Sequence, residues 1–175
     1  MLTDKSATTM RRANAPDKSL SGLLAVLLLC VGCAATPGKI SQSKTIPALY
    51  TVKGLALEGY DAVAYFTDGI PTRGNSAHQI EWQGIQWRFS KPENAVAFAA
   101  NPDRYAPQYG GYCAFAVSRG TTASGDPHQW AVVDGKLYVN NNAFAMHLWE
   151  QDRTENISAA DVNWPLLPKK SRFVE

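Results

Sequence analysis

Two β-prone stretches, each broken by a turn dipeptide ending in glycine and each followed by a helix signal, restrict this chain more than anything else in it. In the first, Ile80, Trp82, Trp87 and Phe89 alternate with polar residues around Gln83-Gly84, the pattern of a half-buried β-hairpin. Residues 92–100 then read as a helix, with Ser90 as its cap and Pro92 in its first turn. In the second, residues 130–139 flank Asp134-Gly135, and Asp-Gly is a strong hairpin signal. Residues 141–151 read as the helix that follows it. Setting Gly84 on Gly135, an offset of 51 positions, brings Trp87 onto Tyr138 and Phe98 onto Trp149. The offset points to a repeated architecture.

The fold class that follows is α+β: a small antiparallel sheet built from two hairpin-plus-helix units, with the helices on one side. Residues 112–117 (Tyr-Cys-Ala-Phe-Ala-Val) are β-prone and read as a central strand. Asp61 is a good N-cap, so residues 62–66 read as a short helical turn; the alternation of Val63 and Tyr65 equally allows a strand. Residues 67–75 and 119–127 read as loops. Ser158 reads as the cap of a short helix over 159–162, and Trp164-Pro165 closes the domain. All five tryptophans lie between Trp82 and Trp164, and they supply much of the apolar area of a modest core.

The first 33 residues read as a leader. Lys5, Arg11, Arg12 and Lys18 form a basic region ahead of an apolar run over 23–31, too short to span a bilayer but right for a signal-peptide core. The run ends Cys30-Val31-Gly32-Cys33-Ala34, which resembles the lipobox of bacterial lipoproteins, with Cys33 as the lipidated residue. Ordinary cleavage near Ala35 is the alternative. The expected location is the periplasmic side of a bacterial membrane, anchored by lipid, or the soluble periplasm after ordinary cleavage. Residues 34–48 read as a flexible tether, 49–168 as the domain and 169–175 as a polar tail.

Charge excludes one class of function. Four of the 17 basic and two of the 15 acidic residues precede Cys33, so thirteen of each remain. A neutral domain without a basic cluster has no electrostatic footprint for nucleic acid.

Residues 98–115 hold the candidate chemistry. Asn101-Pro102 stops a helix, since proline disfavours the α region for the residue before it. Gly110-Gly111 allows positive φ or a close approach. Tyr105, Tyr109 and Tyr112 are expected around Cys113, either lining a ligand pocket or filling the core. With Cys30 in the leader and Cys33 lipidated, Cys113 has no partner for an internal disulfide. It is then an intermolecular partner, a reactive or metal-binding thiol, or a buried thiol acting as a small hydrophobe.

Four motifs occur in order: Gly59-Tyr60-Asp61-Ala62-Val63-Ala64-Tyr65-Phe66, Phe98-Ala99-Ala100-Asn101-Pro102-Asp103-Arg104-Tyr105, Pro107-Gln108-Tyr109-Gly110-Gly111-Tyr112-Cys113-Ala114 and Asp134-Gly135-Lys136-Leu137-Tyr138. Together they resemble the YHS-domain proteins of bacteria, in the exported subgroup with the Tyr-Gly-Gly-Tyr-Cys-Ala signature, over residues 54–164. The resemblance implies metal handling beside copper and heavy-metal transport proteins, which makes a metal-transport protein the expected partner. Metal-binding relatives commonly carry a further cysteine near their start; Tyr60-Asp61-Ala62-Val63-Ala64 has none.

A soft-metal site needs two to four thiolate, thioether or imidazole ligands. The supply is Cys113, His78, His128, His147 and Met146. His147 reads as a helix-surface residue and His78 as a loop residue, which leaves His128, at the entry to the second hairpin, as the partner expected for Cys113. Cys113, His128 and Asp126 could be drawn as a nucleophile, base and orienting group, but these residue types are common and the expectation is a non-enzymatic protein. Asp61 and Asp103 read as helix caps. The expected function is an exported binding module handling copper or another soft metal ion through Cys113. The alternative is a metal-free small-ligand or protein-interaction module in which Cys113 is a core residue.

Overall fold

The computed structural model describes residues 46–170, with side chains from 48 to 168. The leader with Cys33, tether residues 34–45 and tail residues 171–175 lie outside the described residues. Strand β1 (Ile46–Pro47) leads into the short pair β2 (Thr51–Val52) and β3 (Leu55–Ala56). Helical turn α1 (Ala64–Thr67), β4 (Asn75–Trp82), β5 (Ile85–Phe89), α2 (Pro92–Ala100) and α3 (Pro102–Tyr105) complete a first half. The second half runs α4 (Ala114–Ser118), β6 (Asp126–Val133), β7 (Lys136–Asn140), α5 (Ala143–Gln151) and α6 (Arg153–Asn163). Strand β8 (Lys169–Lys170) then pairs in parallel with β1, so residues expected in tether and tail are tied together.

The α+β class is as expected, with small sheets. The two hairpins lie in separate sheets: β2-β3-β5-β4, and β6-β7 alone. Because β3 runs parallel to β5, the first sheet is mixed. Each of these hairpins, and the short β2–β3 pair, closes on an X-Gly pair with positive φ at both residues: Gln83-Gly84, Asp134-Gly135 and Lys53-Gly54. That is the type I′ geometry, whose twist matches the strands it joins.

The 51-residue offset is carried into three dimensions. In β4–β5, Asn75 pairs with Phe89 and Gln79 with Arg88, with a register shift between them. In β6–β7, Asp126 pairs with Asn140 and Trp130 with Val139, with a shift in the same place. All four residues of the second set lie 51 positions beyond the first. Upstream the offset is 52: Leu57, Glu58 and Gly59 have φ of 46°, 52° and 83°, and Tyr109, Gly110 and Gly111 have 53°, 62° and 78°. Three successive left-handed residues are costly for an L-chain, so two such turns at matching places mark one repeated design. Each turn is followed by a tyrosine and then by an amide bonded to a loop further along the chain: Asp61 N–H donates to Thr72 O (2.8 Å) and Cys113 N–H to Ala123 O (3.0 Å).

The core divides into two clusters. The first gathers Val63, Tyr65, Ile85, Trp87, Phe89 and Phe98, and the second Tyr109, Tyr112, Val117, Tyr138, Trp149 and Ala160. The hairpin β6–β7 stands between them. Leu137 and Val139 pack in the first cluster while Tyr138 packs in the second. The residues dictate this. Strand β5 alternates Ile85-Gln86-Trp87-Arg88-Phe89 and buries one face, whereas Leu137-Tyr138-Val139 is a continuous apolar run suited to burial on both.

Several local expectations are corrected. Residues 112–117 do not form a strand: Cys113 makes a single bridge to Val139, and the chain turns at once into α4. The 62–66 ambiguity resolves as a helical turn. Ser90 is not the cap of α2; Lys91 holds that place. Asp103 lies in the first turn of α3, whose N-cap is Asn101. Ser158 sits inside α6, which begins at Arg153.

Candidate functional site

Asp61 follows the first left-handed turn and is fully buried. Its Oδ1 accepts from the N–H of Val63 (2.9 Å) and of Ala64 (3.3 Å). Its Oδ2 accepts from Ser90 N–H (2.8 Å), Ser90 Oγ (2.7 Å) and Asn94 Nδ2 (2.7 Å). A buried carboxylate needs every lone pair occupied, and here the entries of α1 and α2 supply the donors without a cation. Asp61 therefore joins the left-handed turn, the end of β5 and the first turn of α2.

Cys113 occupies the corresponding place after the second left-handed turn. It is 1% exposed, and its Sγ donates to Asn140 Oδ1 at 3.6 Å. The same Oδ1 accepts from Phe115 N–H at 3.0 Å, the bond that Asp61 takes from Val63 in the first half. Asn140, itself fully buried, completes its amide by donating from Nδ2 to Met146 Sδ (3.2 Å). An amide from β7 thus does the capping that a carboxylate does in the first half, and the thiol leans on it.

His128 is not with Cys113. The ring is exposed, and its Nε2 is 2.8 Å from Tyr60 Oη, with the two rings edge to face. Tyr60 also lies under the Arg73 guanidinium, 4.5 Å from ring centroid to Cζ. Asp126 does not orient that ring; its Oδ1 accepts from the His128 backbone N–H (2.8 Å). The nucleophile–base–acid arrangement drawn from Cys113, His128 and Asp126 is therefore not assembled. His78 is half-buried in β4, not in a loop, and His147 is an exposed residue of α5 beside Gln151 (3.2 Å). Among the described residues no group of three or more His, Cys, Asp or Glu side chains gathers as a metal centre. The donors around the thiol are an amide oxygen and, through that amide, a thioether; this set does not fit a soft-metal centre.

The three tyrosines separate. Tyr105 packs edge to face on Phe66 (5.4 Å) against the first cluster. Tyr109 and Tyr112 belong to the second. Tyr109 donates its hydroxyl to Asp161 Oδ1 at 2.9 Å, with Ile157 O at 3.3 Å. Burial, then the Asp161 carboxylate, raises the Tyr109 hydroxyl far above its ordinary range. Tyr112 is pushed up to about 12 by burial and by Tyr50.

What does open to solvent near this stretch is a groove of about 270 Å³ between the first hairpin tip and the segment linking the halves. Trp82, Gln83, Asp103, Gln108, Tyr109 and Trp164 line it. Of the expected site residues only Tyr109 reaches it. Asn140, Asn94 and the two tryptophans were not singled out as site residues from sequence. One signal could have told how Cys113 is placed: Gly59-Tyr60-Asp61-Ala62-Val63-Ala64 recurs as Gly111-Tyr112-Cys113-Ala114-Phe115-Ala116, which sets Cys113 on a capping aspartate.

Comparison with protein-family models, with curated proteins and with solved structures finds no match to this chain.

Proposed function

We propose that this chain is a non-enzymatic binding module of the YHS type that works without a resident metal, with Cys113 a core residue. The observation that carries the reading is the correspondence between Cys113 and Asp61. Both follow a left-handed turn, both directly precede a helical turn, and both are buried, but Asp61 caps its turn itself whereas Asn140 caps the turn after Cys113. A thiol in that position is explained by packing and by its bond to Asn140. The family assignment rests on the four ordered motifs, and export rests on the basic and apolar leader ending at Cys33. In this reading the module is displayed on the periplasmic side of a membrane.

The test is a Cu(I) and Zn(II) titration of the reduced full chain, with Cys30→Ser and Cys33→Ser removing the leader thiols, compared with the same chain carrying Cys113→Ser. The expected result is the same weak binding by both, together with a thiol that reacts only as fast as the protein unfolds. Stoichiometric sub-micromolar binding that Cys113→Ser abolishes would overturn the proposal.

A further inference from the structure

We infer that the groove between Trp82 and Trp164 is a binding site for a neutral sugar ring; this rests on reading the chain as a binding module. Four features of the groove lead there. Its volume, about 270 Å³, lies below the range of drug-sized pockets and admits one ring with its substituents. Its aromatic lining comes from both halves of the fold: Trp82 at the end of β4, braced edge to face on Trp87 and Phe98, and Trp164, packed on Tyr109 and Tyr112. Both indoles are half-buried, line the groove and sit beside fixed aromatic neighbours. Flat apolar faces of this kind suit the C–H face of a pyranose.

The polar lining has matching chemistry. Gln83, Asp103 and Gln108 each present a planar pair of polar atoms, the geometry that engages neighbouring hydroxyls of a sugar. No hydrogen bond to another described residue occupies these three side chains, and Gln108 is half-buried in the groove wall. Among the described residues no Lys, Arg or His lines the groove, and Asp103 disfavours an anion. The polar rim disfavours a purely apolar ligand.

The backbone beside the groove is fixed by close contact. Tyr109 and Gly110 are left-handed, and a Cβ at Gly110 would run into Ala48 O, so two lining segments meet backbone to backbone. Tyr50 N–H donates to Gly110 O at 2.8 Å and fixes that approach.

The experiment is a tryptophan-fluorescence and NMR titration of the full chain with methyl β-D-glucopyranoside, a β-1,4-linked glucose trisaccharide, a β-1,4-linked N-acetylglucosamine trisaccharide and tetramethylammonium chloride. The expected result is saturable binding of at least one sugar, with shifts at Trp82 and Trp164. Gln108→Ala, which removes a groove amide from the surface, weakens it about tenfold, the size of one lost hydrogen bond. Glu93→Gln, on the exposed first turn of α2, leaves it unchanged. Sugar binding that Gln108→Ala does not weaken, or no saturable response to any sugar, would overturn the inference. Binding of tetramethylammonium alone would also overturn it, and would mark the groove as a cation site built on indoles and Asp103. Failure with sugars is separate from failure of the metal-free reading, which only the Cys113-dependent metal titration can produce.

Discussion

Asn94 Nδ2 donates to Asp61 Oδ2 at 2.7 Å, and both residues are buried. The contact joins residues 33 positions apart and ties α2 to the turn that precedes α1. Removing the acceptor strands several donors at once. Asp61→Ala is expected to cost about 3–5 kcal/mol, and Asp61→Asn about 2 kcal/mol, because the amide keeps one acceptor but turns a donor toward donors. Urea denaturation measures both. A wild-type midpoint for Asp61→Ala would remove Asp61 from its structural role.

The matching position is expected to behave differently. Cys113→Ser keeps a donor for Asn140 and changes stability by about 1 kcal/mol or less, whereas Asn140→Ala leaves the Phe115 N–H without its acceptor and costs about 2–3 kcal/mol. Thermal melts of the pair decide the matter. A larger loss at Cys113 than at Asn140 would reverse the assignment of anchor and neighbour.

The hairpin between the clusters makes a paired prediction. Leu137 and Gln86 correspond across the repeat, yet Leu137 is fully buried and Gln86 half-exposed. Leu137→Gln is expected to cost about 3 kcal/mol or more, and Gln86→Leu about 0.5 kcal/mol at most in either direction. Equal effects in chemical denaturation would mean that the second face of β7 is not covered.

Gly125 sets a close approach: a Cβ there would run into Gly111 O, with Val139 Cγ2 also within contact. Gly125→Ala is expected to cost about 3 kcal/mol. Gly135→Ala, where only the positive φ of 72° resists and nothing lies within 4 Å, is expected to cost about 1 kcal/mol. Midpoints in urea rank the two.

Alkaline pH should weaken the fold. Tyr112 is pushed from 10.0 to about 12, and Tyr109 is also raised. Between these limits the unfolded chain gives up its tyrosine protons while the folded chain retains them, so stability is full below pH 10 and falls as pH rises from 10 to 12. Tyr109→Phe should lose about 1 kcal/mol at neutral pH, from the bond to Asp161, and flatten the alkaline decline. A stability profile unchanged from pH 9 to pH 12, the upper limit being the raised Tyr112 value, would contradict this.

Turns and periodicity were legible without the structure because their causes are local. Gln83-Gly84 and Asp134-Gly135 specify type I′ turns, Pro92 starts a helix, and the offset from Gly84 to Gly135 exposes the repeat. The continuous Leu137-Tyr138-Val139 run carries its burial on both faces in its composition. What remained hidden depends on residues far apart in the chain. Residues 112–117 are β-prone, but Asn140 accepts from Phe115 N–H across 25 positions and α4 follows, so a tertiary cap overrides local preference. His128 was expected beside Cys113, 15 positions away; Tyr60, 68 positions away, takes it instead. From sequence alone came the hairpin turns, the helices after them and the suggestion of a repeat, because neighbours in the chain decide backbone dihedrals. Only the tertiary structure decided which side chains meet, because a contact between distant residues is won by the burial and hydrogen bonding of the whole core, which no short stretch encodes.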